Sequence, residues 1–287
     1  MLGINKLLGI LPDASAHGYN VDQLLEICHD FMAVLFVGWT IYFFYTICRF
    51  HRSRNPKADY HGVQSKASAH LEFSVVLVEA VLLLGFALPL WGKRVNGDQF
   101  PATADAVRVH AVAQQFLWNF HYPGPDGVFG KQSPEFVTEN NPLGLDPNDP
   151  FGRDDIVVKN DLHLVNNKPT VIEITSKDVI HGLALEHMRI SQDAIPGSRI
   201  PVWFRPIVPG TYDIICSQLC GYGHSGMRAV MSVVSQAEFD SWFKEQSDLQ
   251  HPATAAAPAA PAAAPTAAPA APAPAAAAPA SPAPAAK

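Results

Sequence analysis

The chain has 287 residues, enough for about two domains, and carries 26 acidic against 20 basic residues for a formal net charge of −6. Its four cysteines (Cys28, Cys48, Cys216 and Cys220) are too few for a disulfide framework. No Cys-x-x-Cys-His run is present, which excludes a covalent c-type haem, and no Gly-rich phosphate loop or basic stripe predicts nucleotide or nucleic-acid binding.

The first segment, residues 1–26, is mixed and mostly polar after the short run LLGILP. Lys6 is its only basic residue, and Pro12 and Asp13 follow the apolar run directly, so the segment is a poor match to a cleavable signal peptide. We therefore predict an extracytoplasmic N-terminal segment over residues 1–26.

Two long apolar runs follow, FMAVLFVGWTIYFFYTI at 31–47 and LEFSVVLVEAVLLLGFALPLW at 71–91. With its edges, each is long enough to cross a bilayer as a helix of about 20 residues. Both runs are apolar on all sides rather than along one stripe, which favours membrane spans over core helices of a soluble domain. We predict a two-helix transmembrane hairpin over residues 27–94.

The distribution of basic residues predicts the orientation of this hairpin. The loop between the runs carries five of them, whereas two (Lys93 and Arg94) follow the second run. Because basic loops remain on the cytoplasmic side, the loop is predicted to be cytoplasmic and both termini extracytoplasmic. In a Gram-negative bacterium this places the chain in the inner membrane, with its remainder in the periplasm. The loop residues are Arg49, Arg52, Arg54, Lys57 and Lys66.

Residues 95–250 form the next predicted domain. Segments such as DIVVKNDLHLV, PTVIEITS and AVMSVVS alternate with period two between turn signals, which predicts an all-β sandwich or barrel. Ser235 followed by Glu238 is typical of a capping box, so a short helix should close the domain. Residues 251–287 are almost wholly Ala and Pro, and we predict a disordered, semi-extended tail.

The stretch CSQLCGYGHSGM combines Cys216, Cys220 and His224 with Met227, and His181 in SKDVIHGLALEH is the best remote candidate, at the end of a strand-like segment. Zinc rarely binds methionine, whereas copper electron-transfer sites use it as a weak axial ligand. Two thiolates exceed the need of one copper ion but could bridge two. A structural zinc site of two cysteines and two histidines, or a metal-free disulfide, stays open from the residues alone.

The pattern C-x-x-x-C-x-x-x-H-x-x-M, with a distant histidine after DVI, resembles the binuclear copper A (CuA) site of cytochrome c oxidase subunit II. The resemblance covers all but the N-terminal tip and the Ala/Pro tail. It implies a cupredoxin-like Greek-key barrel behind the hairpin. It also implies an electron-transfer subunit that accepts electrons from a cytochrome c or a membrane-bound haem donor. Those electrons would pass to haem in the catalytic subunit I, where oxygen reduction is coupled to proton translocation; this chain alone is not expected to reduce oxygen.

The resemblance also implies the ligands, with Gln218 acting through its backbone carbonyl. The family usually has glutamate at that position, and its carboxylate reaches a magnesium ion shared with the catalytic subunit. A neutral amide is a weaker ligand for a hard cation, so magnesium binding at the subunit interface is placed in question. The implied copper ligands are His181, Cys216, Gln218, Cys220, His224 and Met227.

Four more residues acquire candidate roles, the first three of them from the resemblance. Phe116 and Trp118 in QFLWNFHY stand where the family has a W-x-W stretch whose first tryptophan receives the electron, although Trp118 could equally be a packing residue. Glu72 falls at the cytoplasmic mouth of a proton path. Glu79 lies in mid-span, where a carboxylate is costly, and is expected to pair with the catalytic subunit.

Other functions compete with this interpretation. A copper-free structural subunit of a quinol oxidase would share the fold, but such subunits lack the cysteines and histidines. A copper chaperone or sensor would have fewer and more exposed ligands. Residues 95–250 carry 19 acidic and 11 basic residues, which suits docking of a basic redox partner but also ordinary solubility.

Overall fold

The hairpin consists of two long helices in the computed structural model, which describes residues 3–57, 60–62 and 64–251. A short helix, α1 (Ile4–Leu7), precedes α2 (Gly18–Phe50). A continuous helix of 29 residues then comprises α3 (Ala67–Val81), a π-helical segment (Leu82–Ala87) and α4 (Leu88–Val95). The first long helix begins at Gly18 and therefore includes polar residues that precede the apolar run.

Both long helices are long and apolar enough to cross a membrane. At a rise of 1.5 Å per residue, the 33 residues of α2 extend about 50 Å, more than the hydrocarbon thickness of about 30 Å. Their apolar side chains face outward, as Phe36 and Leu84 do with exposed fractions of 74% and 64%. Apolar side chains left uncovered on every side require lipid or a partner subunit around them.

The helical segment before Pro89 widens into a π-turn. Proline has no backbone N–H and its ring collides with the preceding turn of a regular α-helix. A π-turn of Leu82–Ala87 relieves this conflict without breaking the helix, and Gly85 within it adds no side chain near the ring.

Ten strands form the domain after the hairpin, in two five-stranded sheets with the orders β3-β2-β1-β5-β8 and β4-β10-β9-β6-β7. One parallel pair lies in each sheet, β1 with β5 and β4 with β10, and the other pairs are antiparallel. The strands are β1 (Val107–Gln114), β2 (Leu117–Tyr122), β3 (Ile156–Lys159), β4 (Asp161–Val165), β5 (Thr170–Ser176), β6 (His181–Leu185), β7 (Ile190–Ala194), β8 (Ile200–Phe204), β9 (Gly210–Cys216) and β10 (Arg228–Val234).

The core lies between the two sheets and follows the predicted alternation. On β5, Ile172 and Ile174 are fully buried, while Glu173 between them faces outward. Trp118 and Phe120 on β2 and Leu162 on β4 are also fully buried. The all-β, cupredoxin-like architecture predicted from the sequence is therefore confirmed.

The last helix, α5 (Gln236–Gln250), closes one end of the sandwich. Ser235 and Glu238 form the predicted capping box through reciprocal hydrogen bonds. Trp242 stacks on His163 at a ring-centroid distance of 4.1 Å, so the helix is held by aromatic packing as well. The predicted Ala/Pro tail lies outside the described residues from position 252 onward.

The segment before α2 joins the hairpin to the β-domain. The amide of Ala16 donates to the carbonyl of Arg205 at 2.9 Å, and the amide of Ile207 donates to Ala14 at 2.8 Å. Arg189 also forms a two-point ion pair with Asp22 in the first turns of α2, at 2.6 and 2.9 Å. These contacts hold the β-domain against one end of the hairpin.

Candidate metal centre

The sandwich collects the predicted ligands at one loop. Strand β9 ends at Cys216 and β10 begins at Arg228, so residues 217–227 form the connecting loop. The amide of Cys216 donates to the carbonyl of Met227 at 3.2 Å and closes this loop. The amide of Ser217 donates to Gly182 on β6 at 2.9 Å, which brings the loop beside the strand that carries His181.

His181 opens a strand rather than ending one, contrary to our prediction. Strand β5 ends at Ser176, and His181 is the first residue of β6. The turn between them is held by Asp178, whose carboxylate accepts the amide of Val179 at 2.7 Å, and by a hydrogen bond from the Ser176 hydroxyl to the Val179 carbonyl. These local side-chain hydrogen bonds form a turn where the segment DVI was expected to continue a strand.

The two cysteines and the remote histidine lie together. The Sγ atoms of Cys216 and Cys220 are 3.8 Å apart, and both residues are free thiols. Nδ1 of His181 lies 3.9 Å from Sγ of Cys216, and the three ligand atoms fall within 4.8 Å of one another. A small cluster of this kind is of the size that soft metal ions need.

The other three predicted ligands surround this cluster. Nδ1 of His224 lies 3.7 Å from Sγ of Cys220. The Met227 thioether lies 3.8 Å from the same sulfur and 3.2 Å from Nδ1 of His181. The backbone carbonyl of Gln218 accepts a hydrogen bond from the Cys216 thiol at 3.1 Å, while its side chain is exposed.

Burial shapes the chemistry of these groups. His181 and Met227 are almost fully buried, the two cysteines are buried and His224 is half-buried. Burial, and next the neighbouring Cys216 thiol, raise the pKa of Cys220 to about 11. A soft cation would therefore have to displace the thiol proton, which couples metal binding to proton release.

Asp178 orients the buried histidine. Nε2 of His181 donates to Oδ1 of Asp178 at 2.8 Å, which leaves Nδ1 facing the sulfur atoms. Although burial opposes ionisation, hydrogen bonds from the backbone amide of Gln115 and from the His181 ring hold the pKa of Asp178 below its usual value. Carboxylates paired with ligating histidines in this way orient the ring and raise its basicity. Sequence reasoning missed Asp178, although the spacing D-x-x-H pointed to it.

The segment between β1 and β2 packs on the ligand loop. The side-chain amide of Gln115 donates to the carbonyl of Cys220 at 2.6 Å. A Cβ atom at Gly223 would lie 2.5 Å from the Phe116 ring, and Gly221 has a φ of +134°. Glycine at these two positions lets the loop approach Phe116 closely.

The two aromatic candidates occupy different environments. Trp118 is fully buried, with its ring centroid 6.1 Å from that of His181. Phe116 is partly buried and meets Tyr222 edge-to-face at 5.0 Å. Tyr222 is 98% exposed, and Leu219 on the same loop is 78% exposed. Sequence reasoning missed these two surface residues, although a leucine and a tyrosine placed between the candidate ligands could have indicated them.

Glu72 and Glu79 lie elsewhere, on α3 in the hairpin, and both are exposed. Within the described part of the chain neither carboxylate has a hydrogen bond or an ion pair. The structure thus brings together the six predicted ligands with both aromatic candidates, and leaves the two glutamates apart.

The donor set fits copper. Two buried thiols, two imidazole nitrogens, a thioether and a carbonyl oxygen converge on one small volume. Thiolates and thioethers are soft ligands that favour copper, and a zinc site would have no use for the buried Met227.

Comparisons with known proteins agree with this geometry. Residues 107–234 match the family model described as cytochrome c oxidase subunit II, periplasmic domain. The alternative cytochrome c oxidase subunit 2 of Bradyrhizobium diazoefficiens is 33% identical over 237 residues, covering 82% of this chain and 83% of that protein. Cytochrome c oxidase subunit 2 of Cereibacter sphaeroides is 26% identical over 271 residues, covering 88% and 84%.

Among solved structures, the periplasmic domain of subunit II of cytochrome oxidase from Bradyrhizobium japonicum aligns with 50% of this chain and 95% of that chain, at 27% identity and a TM-score of 0.38. The relationship to the Bradyrhizobium diazoefficiens protein spans both the hairpin and the β-domain. The chain therefore belongs to the cytochrome c oxidase subunit II family and is a subunit of an oxidoreductase complex.

Proposed function

We propose that this chain is the electron-transfer subunit that carries a binuclear CuA centre, accepts electrons from a cytochrome c or a membrane-bound haem protein, and delivers them to haem in the catalytic subunit. The observation that carries this proposal is the convergence of two thiols with His181, His224 and Met227 at one buried loop. Family membership adds a copper centre to this expectation.

Each ligand residue would have its own part. Cys216 and Cys220 would supply the two thiolates, while His181, which lies near the Cys216 sulfur, and His224, which lies near the Cys220 sulfur, would supply the two imidazoles. Met227 and the carbonyl of Gln218 would be the weak outer ligands. Such a centre, when bound, supplies one-electron redox chemistry with small changes in bond length.

The chain's own structure would keep this chemistry fast. Asp178 holds the His181 ring, and Gln115 holds the Cys220 carbonyl, so neither ligand needs to move when the charge changes. Burial of His181 and Met227 excludes water from one side of the site. A rigid and partly dry ligand shell lowers the reorganisation that an electron transfer requires.

The exposed edge of the ligand loop would be where electrons enter. Tyr222 and Leu219 lie on the surface, and Phe116 lies directly behind Tyr222. The excess of 19 acidic over 11 basic residues in 95–250 would steer a basic donor toward the domain. A Phe116→Leu variant tests this path: unchanged rates of donor oxidation at normal copper content would remove Phe116 from it.

The hairpin would dock the chain in the oxidase, and we propose the domain division 1–26, 27–94, 95–250 and 251–287. The basic loop would be cytoplasmic, and the β-domain and both termini would be extracytoplasmic. The exposed Glu72 would stand at a proton path, and the exposed Glu79 would pair with the catalytic subunit. The exposed amide of Gln218 would bind magnesium more weakly than a carboxylate.

The deciding experiment is copper reconstitution of the purified full chain in detergent, followed by metal analysis and electron paramagnetic resonance. We expect two coppers per chain that share one unpaired electron. A single copper, or preferential retention of zinc, would contradict the binuclear site. No copper retention at all would favour a copper-free structural subunit of a quinol oxidase.

A further inference from the structure

A cavity lined by two arginines and a histidine lies where the hairpin meets the β-domain, outside the group of metal ligands. It is a cavity of about 350 Å³ at the N-terminal end of α2 and the C-terminal end of α4. Strand β8 contributes Trp203, and the turn before β5 contributes Pro169. The cavity far exceeds the volume of about 30 Å³ that one water occupies in the liquid. Its lining consists of Ala16, His17, Arg94, Pro169, Trp203 and Arg205.

Three buried nitrogen atoms on this lining have no hydrogen-bond partner in the described chain. They are Nδ1 of His17, Nε of Arg94 and Nε1 of Trp203. His17 itself is more than nine-tenths buried, with 8% of its surface exposed. Nε of Arg94 and Nε1 of Trp203 are always donors, and buried polar atoms are almost always paired, so these two atoms point to a missing acceptor at the cavity.

The charge of the lining gives the sign of that acceptor. Arg94 and Arg205 contribute two guanidinium groups, and no acidic side chain lines the cavity among the described residues. Neither arginine forms an ion pair within the described chain. Arg94 donates to the Trp203 carbonyl and lies 3.8 Å above the Trp203 ring, which fixes its position and leaves Nε unused. The nearby Asp13 is already engaged by the amide and hydroxyl of Ser15.

The pKa of His17 reflects the same excess of positive charge. Burial and then the positive charge of Arg94 lower the pKa of His17 to about 4, so its ring is neutral at physiological pH. An anion in the cavity would offset both causes and favour the protonated ring. The imidazole would then donate from Nδ1 alongside the arginine and indole groups.

The position of the cavity identifies the source of the anion. Arg94 is the penultimate residue of a helix whose apolar side chains are exposed to the bilayer, so the cavity lies at the level of lipid headgroups. We propose that this cavity binds a phosphate oxyanion, carried by the headgroup of an anionic phospholipid. Guanidinium groups suit phosphate because their planar donors match its oxygens.

The test uses the full chain in nanodiscs of phosphatidylcholine, with or without phosphatidylglycerol. Nuclear magnetic resonance would follow the titration of His17, assigned by comparison with a His17→Gln variant. We expect phosphatidylglycerol to raise the His17 pKa by about one pH unit or more. Arg205→Gln should abolish this rise, because it removes one of the two guanidinium groups on the lining; the Arg205 side chain has no hydrogen bond or ion pair in the described chain that the substitution would break. Lys93→Gln is the matched control: it removes one charge from the same helix end without touching the cavity.

A second arm measures retained lipid in the assembled oxidase by native mass spectrometry. We expect Arg205→Gln to lower phosphatidylglycerol retention about tenfold, as the loss of one charge-assisted hydrogen bond would. Unchanged near-ultraviolet circular dichroism would show that this variant is folded. The proposal is overturned if retention is equal in the wild type and Arg205→Gln, or if neither lipid nor inorganic phosphate moves the His17 pKa. A rise caused by inorganic phosphate alone would overturn the lipid as its source.

Discussion

Two buried histidines of the β-domain, His181 and His121, show what separates a metal ligand from a structural residue. Both are fully buried and both bind an aspartate through Nε2, at 2.8 Å to Asp178 and 2.7 Å to Asp155. They differ at the other ring nitrogen. Nδ1 of His181 faces sulfur atoms, whereas Nδ1 of His121 meets the side-chain amide of Gln132 at 3.2 Å.

The two aspartates, Asp155 and Asp178, also differ in their surroundings. Asp155 is fully enclosed and also accepts the amides of Gly124 and Gly130, at 3.2 and 2.8 Å. This network ties residues 123–155 to β2 and leaves no position for a metal. Asp178 is partly exposed and also accepts the backbone amides of Gln115 and Val179, but the histidine that it orients faces the thiols. A histidine with both nitrogens paired to protein is structural, and one that faces soft donors is available to a metal.

The largest expected effect comes from removing a thiol beside His181. Cys216→Ser or Cys220→Ser should abolish the shared-electron copper signal, because a hydroxyl cannot replace a bridging thiolate. Electron paramagnetic resonance and copper analysis of the full chain measure this. Cys28→Ser, in the hairpin, is the control and should keep the signal. A binuclear signal in either ligand variant would contradict the assignment.

The next effect concerns the His121–Asp155 pair and distinguishes a loss of stability from a loss of metal binding. Asp155→Ala leaves His121 and two glycine amides unpaired in the interior, and should lower the free energy of unfolding by about 3 kcal/mol. Copper content should be unchanged. Denaturant unfolding of the chain in detergent measures the loss, and the exposed Asp105→Ala should change it by less than about 0.5 kcal/mol. A loss of copper from the folded Asp155→Ala protein would show that the His121–Asp155 pair also supports metal binding.

A smaller effect is expected from Asp178→Asn. The amide keeps the size of the side chain but accepts more weakly from His181, so copper affinity should fall about 10- to 100-fold. Competition with a copper chelator measures the affinity. Asp213→Asn, an exposed position on β9, is the control of equal charge change. Equal affinities in the two variants would show that Asp178 does not tune the site.

The last effect is negligible at neutral pH and grows with acidification; it concerns His110, whose ring lies against that of His121. Burial, and next the charges of His121, Arg199 and Arg108, lower the pKa of His110 to about 2. The unfolded chain binds this proton near pH 6.5 and the folded chain does not, so stability is greatest above pH 6.5 and falls with acidification. His110→Gln should reduce this slope by about 1.4 kcal/mol per pH unit below pH 6. The Glu173 carboxylate, 3.8 Å from His110, should not remove the effect.

Unfolding curves at pH 6, 5 and 4 would measure both slopes. An unchanged slope in His110→Gln would mean that His110 is already protonated in the folded chain.

How far the site could be predicted depends on the range of its contacts. Cys216, Cys220, His224 and Met227 share one loop, so their spacing alone predicted their proximity, and the structure brings His181 to them as well. The strand position of His181 was wrong, because the Asp178 turn interrupts the apolar run. Gln115, Tyr222 and the paired role of His121 depend on residues distant in sequence, and local patterns carry no signal for them.

The sequence by itself determined the two apolar helices, the alternating strands, the capping box at Ser235 and the loop that carries four candidate ligands, because these follow from hydrophobic period and local spacing. The tertiary structure decided which histidine nitrogen faces the thiols and which is paired to protein. It also decided that His17, Arg94 and Trp203, from three separate segments, place nitrogen atoms without a partner in the described chain at one cavity. Such convergence depends on how the sheets and helices pack, and packing is a property of the whole chain.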